Sequence, residues 1–346
     1  MRNLIFRADA SAQIGTGHVM RCLALAQAWN TQSGKTTFVM AGQSSALEAR
    51  LRSEDIDVVY LSAKAGSNED AQQTVNIAQK NAASWIVVDG YQFSSEYQKR
   101  LKSYGLKVLF VDDYGHAENY YVDLVLNQNI SADQNLYKSR EPYTHILLGI
   151  KYTLLRREFL ISQGLVKAIA PIARKILVTL GGGDPDNVTL KVLQALSQLS
   201  INNLEIVVLI GGTNPHYEKL ISFIKSLSLS ISLQLNISNM HELMAWADLA
   251  IAAGGSTNWE LAFMGLPSIV ITIADNQKAI AAELDRQGVI INLGWHQDVT
   301  VEQIGFVLRE LISDRPKRET MSKKGRELVD GNGAKRVISK INSMSA

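Results

Sequence analysis

The sequence has almost no cysteine and no long apolar run, and each shortage excludes a class of protein. Cys22 is the only cysteine among 346 residues, which excludes an intrachain disulfide and a cysteine-based zinc cage and suits a reducing cytoplasm. No stretch approaches the roughly 20 apolar residues of a membrane helix. The apolar run at residues 4–6 falls far short of a signal-peptide core. We therefore expect a cytoplasmic protein without a membrane span.

An excess of charge of one sign is also lacking. The formal net charge of +2 argues against a nucleic-acid partner and against a strongly acidic one. The 46% hydrophobic and 20% charged contents are those of an ordinary globular protein. A chain of this length exceeds one hydrophobic core, so we expect two domains of about 150 residues each. Nothing in the composition calls for an obligate protein partner.

The first strand–turn–helix unit lacks two marks of a dinucleotide site. Residues 4–6 suit a buried strand, Gly15-Thr16-Gly17 forms a turn, and apolar residues recur at helical spacing from Val19. Met20 stands where the motif G-x-G-x-x-G has its third glycine, and no acid follows the next strand, near 36–40, to hold the ribose of NAD. We therefore expect no nicotinamide cofactor, and no other cofactor is indicated.

What this unit does contain is His18, in the first turn of the predicted helix. Amide groups at a helix N-terminus attract anions, above all phosphate, and disfavour an imidazolium ion. A neutral histidine there is able to accept a proton. The alternative is that His18 only caps or packs. Cys22, one turn later, is a conceivable nucleophile partner, although packing is the commoner role of a cysteine in an apolar helix.

Strands and helices alternate along both halves of the chain, which predicts parallel sheets covered by helices on both faces. We divide the chain into a Rossmann-like domain at 1–153, a connection at 154–173, a second Rossmann-like domain at 174–330 and a C-terminal helix at 331–346. The predicted fold is therefore α/β, with two doubly wound domains facing across a cleft. Ligands in such sheets sit beyond the carboxyl ends of the strands.

Three turns in the second half are suited to a phosphorylated ligand. They lie at 180–186, 253–260 and 274–277, and each places small residues or helix N-terminal amides after a strand. Tight packing of helix on sheet is the alternative reason for such glycines. Three turns in one domain favour a nucleotide-type ligand.

Helix caps offer a second interpretation of the same turns. Asp184 with Pro185 is typical of an N-cap followed by a first-turn proline, in a helix running to about residue 199. Thr257 and Glu260 have the spacing of a capping box, so Glu260 either caps its helix or holds ribose hydroxyls. Asp275 is likewise an ordinary N-cap candidate before a helix at 276–287.

Asp112, Asp113 and His116 form a candidate metal or acid/base cluster after a predicted strand. Polar residues at strand ends are common, however. The 6 histidines show no H-x-x-x-H or H-E-x-x-H spacing, so we predict no metal.

Taken together, these residues resemble a known family, the UDP-2,4-diacetamido-2,4,6-trideoxy-β-L-altropyranose hydrolases of pseudaminic acid biosynthesis. The resemblance implies the GT-B fold, similarity to the peptidoglycan N-acetylglucosaminyltransferase, and transfer of the sugar to water. The matching stretches run in order through both halves: Arg7-Ala-Asp-Ala-Ser…Ile14-Gly-Thr-Gly-His-Val-Met-Arg21, Leu147-Leu-Gly…Tyr152-Thr-Leu-Leu-Arg156, Gly181-Gly-Gly-Asp-Pro185, and Ala253-Gly-Gly-Ser-Thr…Trp259-Glu260 through Leu266-Pro-Ser…Ala274-Asp-Asn-Gln277.

The resemblance also implies roles. His18 matches the general base, Tyr91 lies beside the sugar, and Gly90 stands where the family more often has histidine. Glu260 would hold the uridine ribose and the turn at 254–257 the diphosphate. The substrate-binding residues implied in this way are Gly17, Arg21, Tyr91, Arg156, Gly182, Gly183, Gly255, Ser256, Thr257, Glu260, Asn276 and Gln277.

The predicted function is therefore inverting hydrolysis of a UDP-diacetamido-trideoxy-hexose to free sugar and UDP, without a metal. UDP is a good leaving group if amides absorb its charge, so one neutral histidine acting on water is sufficient. Two alternatives stay open: a GT-B glycosyltransferase that uses a UDP-amino sugar and an acceptor, and a nucleotide-sugar-binding protein without turnover. The residues do not specify the stereoisomer of the sugar.

Overall fold

The computed structural model describes residues 3–10, 15–32, 34–212, 214–237 and 239–345. Residues 11–14 of the first matching stretch, which include Ser11 and Ile14, lie outside the described residues. The chain forms two compact units, which we call the N-unit and the C-unit. The N-unit comprises Met1–Leu160 with Gly331–Ala346, and the C-unit comprises Ile161–Asp330. The division at residue 160 falls inside the stretch predicted to be the connection.

Each unit has one parallel sheet. Within the described residues the N-unit sheet has 7 strands in the order β3-β2-β1-β4-β5-β6-β7, and the C-unit sheet has 6 in the order β10-β9-β8-β11-β12-β13. The strands are β1 Asn3–Ala8, β2 Lys35–Met40, β3 Asp57–Tyr60, β4 Trp85–Asp89, β5 Lys107–Val111, β6 Leu124–Asn127, β7 His145–Leu148, β8 Lys175–Thr179, β9 Glu205–Ile210, β10 Ser230–Leu235, β11 Leu249–Ala253, β12 Ser268–Thr272 and β13 Ile290–Trp295.

Helices connect the strands and cover the sheets. They are α1 Gly17–Asn30, α2 Ser45–Arg52, α3 Asn68–Lys80, α4 Ser95–Ser103, α5 Arg157–Leu160, α6 Val188–Ser197, α7 Tyr217–Lys225, α8 Met240–Trp246, α9 Thr257–Met264, α10 Lys278–Arg286, α11 Val301–Ser313, α12 Arg315–Leu328 and α13 Gly333–Ser345, with short 3₁₀ turns at Gln134–Tyr137, Ile150–Tyr152 and Asp275–Gln277. None of the described helices is long and apolar enough to cross a membrane.

The central strands are apolar on both faces, which is what a parallel sheet covered by helices requires. In β1, Leu4 and Phe6 pack into one apolar cluster and Ile5 into the cluster on the opposite face. Serine caps mark the helix starts: Ser67 and Ser94 each accept a hydrogen bond from the amide three residues on. The alternation of elements predicted two α/β units, each with a parallel sheet, and this prediction is confirmed.

The strand order reverses between β1 and β4 in the N-unit and between β8 and β11 in the C-unit. At such a reversal the loops after the two strands diverge and leave a crevice at the carboxyl ends, where ligands bind in this class of sheet. The helix that carries His18 follows β1, and Asp89 is the last residue of β4. In the C-unit, the glycine turns predicted after β8 and β11 flank the reversal in the same way.

The cap and the first-turn proline predicted for the helix after β8 are both wrong in position. Helix α6 begins at Val188 with Asn187 as its N-cap at φ 53°, so Asp184 is not the N-cap and Pro185 is not in the first turn. The reason is a tight turn in which the Asn187 amide donates to the Asp184 carbonyl at 3.0 Å. The Asp184 carboxylate still receives the amides of Val188 at 2.9 Å and Thr189 at 2.8 Å. It therefore caps the helix from four residues upstream.

The other predicted caps, in the turns after β11 and β12, are also absent from the described structure. Helix α9 starts at Thr257 itself, with Ser256 as an N-cap that makes no side-chain capping bond, so the predicted capping box to Glu260 is wrong. Asp275 lies in a 3₁₀ turn that precedes α10, and its carboxylate pairs with Lys278 at 2.7 Å. Strand β13, which follows α10, was not predicted at all.

Candidate active site

The N-unit places His18 against a buried carboxylate. His18 is the second residue of α1 and its Nδ1 lies 2.6 Å from Oδ1 of Asp89, at the end of β4. Asp89 is fully buried. Arg21 Nη2 also lies 3.2 Å from the same ring nitrogen, but a guanidinium only donates, so the carboxylate is the partner that Nδ1–H satisfies. The Nε2 lone pair is then left as the basic end of the ring.

Arg21 keeps Asp89 ionised. Its Nε donates to Oδ2 at 2.6 Å and its Nη2 to Oδ1 at 2.7 Å, which is a bidentate pair. Burial alone would raise the pKa of Asp89, but Arg21 and His18 beside it lower that pKa below its usual range. Asp89 is therefore a carboxylate acceptor that fixes the tautomer of His18.

A second carboxylate extends this network. Arg21 Nη1 donates to Oδ1 of Asp113 at 2.7 Å, and the Tyr91 hydroxyl donates to Oδ2 at 2.6 Å. Although burial works against both charges, the pKa of Asp113 is lowered by Arg21, and the pKa of Arg21 is raised well above its ordinary value by Asp113 and Asp89. Arg21, predicted to bind substrate, thus bridges two carboxylates of its own unit.

Tyr91 connects His18 to a cluster of aromatic rings. Its ring meets His18 edge-on with centroids 5.0 Å apart, and it also lies 5.1 Å from Tyr114 and 5.7 Å from His116. Tyr114 is the exposed member of the cluster. We call Tyr91, Tyr114 and His116 the ring cluster.

The Asp112 carboxylate is used by the chain's own donors. It accepts the backbone amides of residues 113–115, the His116 ring at 3.1 Å and the Tyr120 hydroxyl. Burial raises the pKa of Asp112, but its hydrogen bonds from His116 and Tyr120 lower it overall. Across the described ranges, no group of three or more histidine, cysteine, aspartate or glutamate side chains is arranged to hold a metal ion.

Cys22 packs in the N-unit core. Its sulfur lies 3.5 Å from Oδ2 of Asp89 and its side chain is buried. Burial, together with the charge of Asp89, raises the pKa of this thiol well above its ordinary value. A thiol that stays protonated is a poor nucleophile, so the structure favours packing over the nucleophile role.

In the C-unit, Gln277 ties two of the predicted turns together. Its Oε1 accepts the amide of Gly254 at 3.1 Å and the amide of Ile273 at 3.0 Å. The turn after β11 is thereby fixed to the segment after β12. Because Oε1 is turned inward to the backbone, the Nε2 group is the end of this side chain that can meet a ligand, beside Gly255.

The turn after β8 lies directly against the turn after β9. The Gly211 amide donates to the Gly182 carbonyl at 2.9 Å, and a Cβ added to Gly211 would lie 2.4 Å from that oxygen. Glycine is therefore required at 211 for the two turns to meet. Gly182 and Gly183 are half-buried beside this contact.

The remaining predicted residues are distributed over both units. Gly17 opens α1, and Arg156 pairs with Glu158 at 3.1 Å, with its guanidinium over the Phe159 ring. In the C-unit, Ser256 and Asn276 are exposed, while Thr257 and Glu260 are half-buried in the first turn of α9.

Asp89 organises the N-unit site but was not predicted from the sequence to be a site residue, whereas Asp113 was predicted only as part of a candidate metal or acid/base cluster. Asp89 ends β4 and Asp113 follows β5, both at the carboxyl edge of the sheet, where polar residues are common. The sequence contains a signal for Asp89, since a carboxylate that ends an apolar strand at an order reversal lies at the expected ligand crevice.

The fold and the C-unit turns can now be compared with those of known proteins. Residues 175–340 match the glycosyltransferase family 28 C-terminal domain. The fold is similar to the crystal structure of Acinetobacter baumannii MurG, with a TM-score of 0.66 at 16% identity over 99% of this chain and 100% of that one. The chain therefore has the GT-B fold, and its residues 175–340 are similar to the glycosyltransferase family 28 C-terminal domain.

Three curated proteins are related to this chain in sequence. The chain is 26% identical to the UDP-2,4-diacetamido-2,4,6-trideoxy-β-L-altropyranose hydrolase of Campylobacter jejuni over 82% of its own length and 97% of that protein. It is 29% identical to the Bacillus subtilis spore coat polysaccharide biosynthesis protein SpsG over 95% of both chains. It is also 27% identical to the Methanocaldococcus jannaschii protein MJ1062, of whose length it spans 54%. The resemblance to the UDP-2,4-diacetamido-2,4,6-trideoxy-β-L-altropyranose hydrolases, first drawn from the residues, is confirmed.

Proposed function

We propose that this protein hydrolyses a UDP-diacetamido-trideoxy-hexose to free sugar and UDP, with inversion at the anomeric carbon, as a step of pseudaminic acid biosynthesis. The observation that carries the proposal is the His18–Asp89 pair, which fixes Nε2 as the basic nitrogen at the strand-order reversal of the N-unit. The name of the Campylobacter jejuni relative supports the choice of substrate.

The chemistry needs one base. His18 Nε2 takes a proton from water while the water oxygen bonds to C1 of the sugar, and the bond from C1 to the diphosphate oxygen breaks with its electrons leaving on UDP. The proton stays on the imidazole, where the ionised Asp89 stabilises the resulting charge as in an aspartate–histidine pair. Attack on the face opposite the leaving group inverts the anomeric centre.

The C-unit supplies the groups that hold the nucleotide. The turn containing Gly182 and Gly183 and the turn at 254–257 present main-chain amides to the diphosphate, whose developing charge they absorb. Glu260 holds the ribose hydroxyls. Asn276 and the Nε2 group of Gln277 contact the sugar side, the latter oriented because its Oε1 is fixed by Gly254 and Ile273.

The proposal is tested by UDP release from a panel of UDP-diacetamido-trideoxy-hexoses, with no acceptor added. We expect wild-type protein to release UDP and His18→Asn to do so about 10²–10⁴-fold more slowly, the usual contribution of a general base. Calorimetry should show UDP binding unchanged, because His18 acts on water. An unaltered kcat in the variant would remove His18 from the mechanism.

A glycosyltransferase is the second candidate, because residues 175–340 match a glycosyltransferase domain. It predicts negligible UDP release until an acceptor sugar or lipid is supplied. A protein that binds the UDP-sugar and leaves it intact with and without acceptors would instead be a binding protein.

A further inference from the structure

The proposed reaction uses His18 and leaves His116 without a role. His116 resembles His18 in one respect: its Nδ1 lies 3.1 Å from Oδ1 of a buried aspartate, here Asp112. Asp112 is ionised and receives donors only, so Nδ1–H is the donor and Nε2 carries the lone pair. The N-unit therefore holds two histidines of the same tautomer, both in ring contact with Tyr91.

The Nε2 atom of His116 is buried and has no hydrogen-bond partner among the residues that the structure describes. Buried polar atoms are nearly always paired, and an exception calls for an explanation such as a ligand. Other buried polar atoms in the described chain also lack partners. This one is distinguished by its place, since it belongs to the ring cluster, whose member Tyr91 contacts the ring of His18.

We propose that His116 Nε2 accepts a hydrogen bond from the sugar of the substrate, from either an acetamido N–H or a hydroxyl group. This inference rests on the proposed function and extends it: His116 becomes a specificity-determining residue for hexoses that present a donor at that position. The ring of Tyr114 lies 5.7 Å from that of His116 and is 47% exposed, so we expect Tyr114 to turn aside when the sugar reaches the nitrogen.

An acceptor fixed in this way discriminates by chemistry. A sugar that lacks the donor leaves Nε2 buried and unpaired, and sites built around such a hydrogen bond reject the incomplete analogue more strongly than apolar pockets do. The ring cluster supplies apolar contact around the same point. Together they suit a sugar that presents a hydrogen-bond donor beside an apolar group.

Two variants separate the nitrogen atoms of His116. His116→Asn keeps an amide group near the position of Nδ1, able to donate to Asp112, but has nothing at Nε2. His116→Gln reaches the position of Nε2 with its amide and gives up the bond to Asp112. We expect His116→Asn to raise KM for the UDP-sugar about 10-fold, the value of one lost hydrogen bond, with kcat within about threefold and an unchanged pH profile of kcat. His116→Gln should lower the melting temperature more and KM should stay closer to that of the wild type.

Opposite results overturn the inference. If His116 only supports the loop through Asp112, His116→Asn keeps the wild-type KM and His116→Gln is the impaired variant. A fall in kcat with an altered pH profile would make His116 an acid or base instead. Equal loss of affinity for UDP alone would also contradict a contact to the sugar.

Calorimetry keeps this test separate from that of the proposed function. Binding of the intact UDP-sugar and of UDP is measured for wild type and His116→Asn without need of turnover. If wild-type protein binds the UDP-sugar but does not hydrolyse it, the hydrolase proposal fails, and a weaker UDP-sugar affinity in His116→Asn still supports the contact. Wild-type protein that binds no UDP-sugar overturns both.

Discussion

At the scale of single residues, the candidate site depends on a short chain of hydrogen-bonded side chains: His18, Asp89, Arg21 and Asp113. Each link is a hydrogen bond of 2.6–2.7 Å between side chains that are largely buried. His18 was selected from the sequence because local spacing shows it at a helix start. Asp89 lies 71 residues away in the chain and was not selected, because no local sequence pattern predicts which strand end a helix start will face.

The first prediction concerns the tautomer of His18. In Asp89→Asn the amide N–H₂ can donate to Nδ1, which moves the ring proton to Nε2 and removes the base. We expect kcat to fall about 10²-fold or more, with UDP affinity unchanged, as measured by steady-state kinetics and calorimetry.

Asp70→Asn is the matched control for that substitution. Asp70 is equally buried and pairs with Arg7 at 2.7 Å, so both variants lose a buried ion pair and stability. Corrected for the folded fraction, only Asp89→Asn should lose kcat. Equal losses in the two variants would show that Asp89 acts through stability alone.

At the scale of elements, most strands and helices followed from apolar runs and helical spacing, while ends and caps did not. Strand β13 was missed because Asn292 and Gly294 interrupt its apolar pattern. The caps at Asp184, Thr257 and Asp275 were misplaced because capping depends on backbone angles. Asp184 has a φ of 40° and Asn187 has a φ of 53°, and such values cannot be predicted from the amino-acid sequence alone.

The second prediction concerns the glycine turns of the C-unit. Gly211→Ala places a Cβ 2.4 Å from the Gly182 carbonyl, so the turn after β8 has to shift. We expect UDP affinity to fall about 10-fold, as one hydrogen bond to the diphosphate is lost, measured by calorimetry.

Gly305→Ala serves as its control within the same unit. An added Cβ there meets nothing nearer than 3.8 Å, and alanine is the better helix former by about 1 kcal/mol. This variant should bind UDP normally and melt no lower than the wild type. Normal UDP binding by Gly211→Ala would exclude the turn from the nucleotide site.

At the scale of the whole molecule, alternating elements predicted two α/β units, each with a parallel sheet, and the fold contains both. The packing of the last helix, α13, on the N-unit could not be predicted from the sequence, because long-range contacts determine it. Gly333 opens α13 so close to the backbone of Thr153 that a Cβ would lie 2.1 Å from its carbonyl oxygen. At the other end of the helix, the Trp85 indole donates to Ser345 at 2.8 Å.

The third prediction is loss of stability in acid, centred on the N-unit. Asp89, Asp112 and Asp113 all have a pKa below the ordinary value in the folded protein, whereas in the unfolded chain an aspartate titrates near about 3.9. Their contribution is therefore complete above about pH 5 and is lost as the pH falls through 4 and below.

Urea unfolding followed by circular dichroism from pH 7 to pH 3 measures this loss. The midpoint should stay nearly level down to about pH 5 and then fall. Asp113→Asn should start lower and show a shallower fall, because one of the three carboxylates is gone. A midpoint that is level to pH 3 would contradict the assignment of these groups as buried carboxylates.

His18 is proposed to deprotonate a water molecule that attacks C1 on the face opposite UDP. The configuration of the first sugar formed tests this proposal most directly. Proton NMR of the anomeric signal, recorded with wild-type protein before mutarotation equilibrates the product, reports it. We expect the first-formed anomer to be opposite in configuration to that of the UDP-sugar. A first-formed anomer of retained configuration would require a covalent sugar intermediate and would contradict the assignment of His18 as base on water.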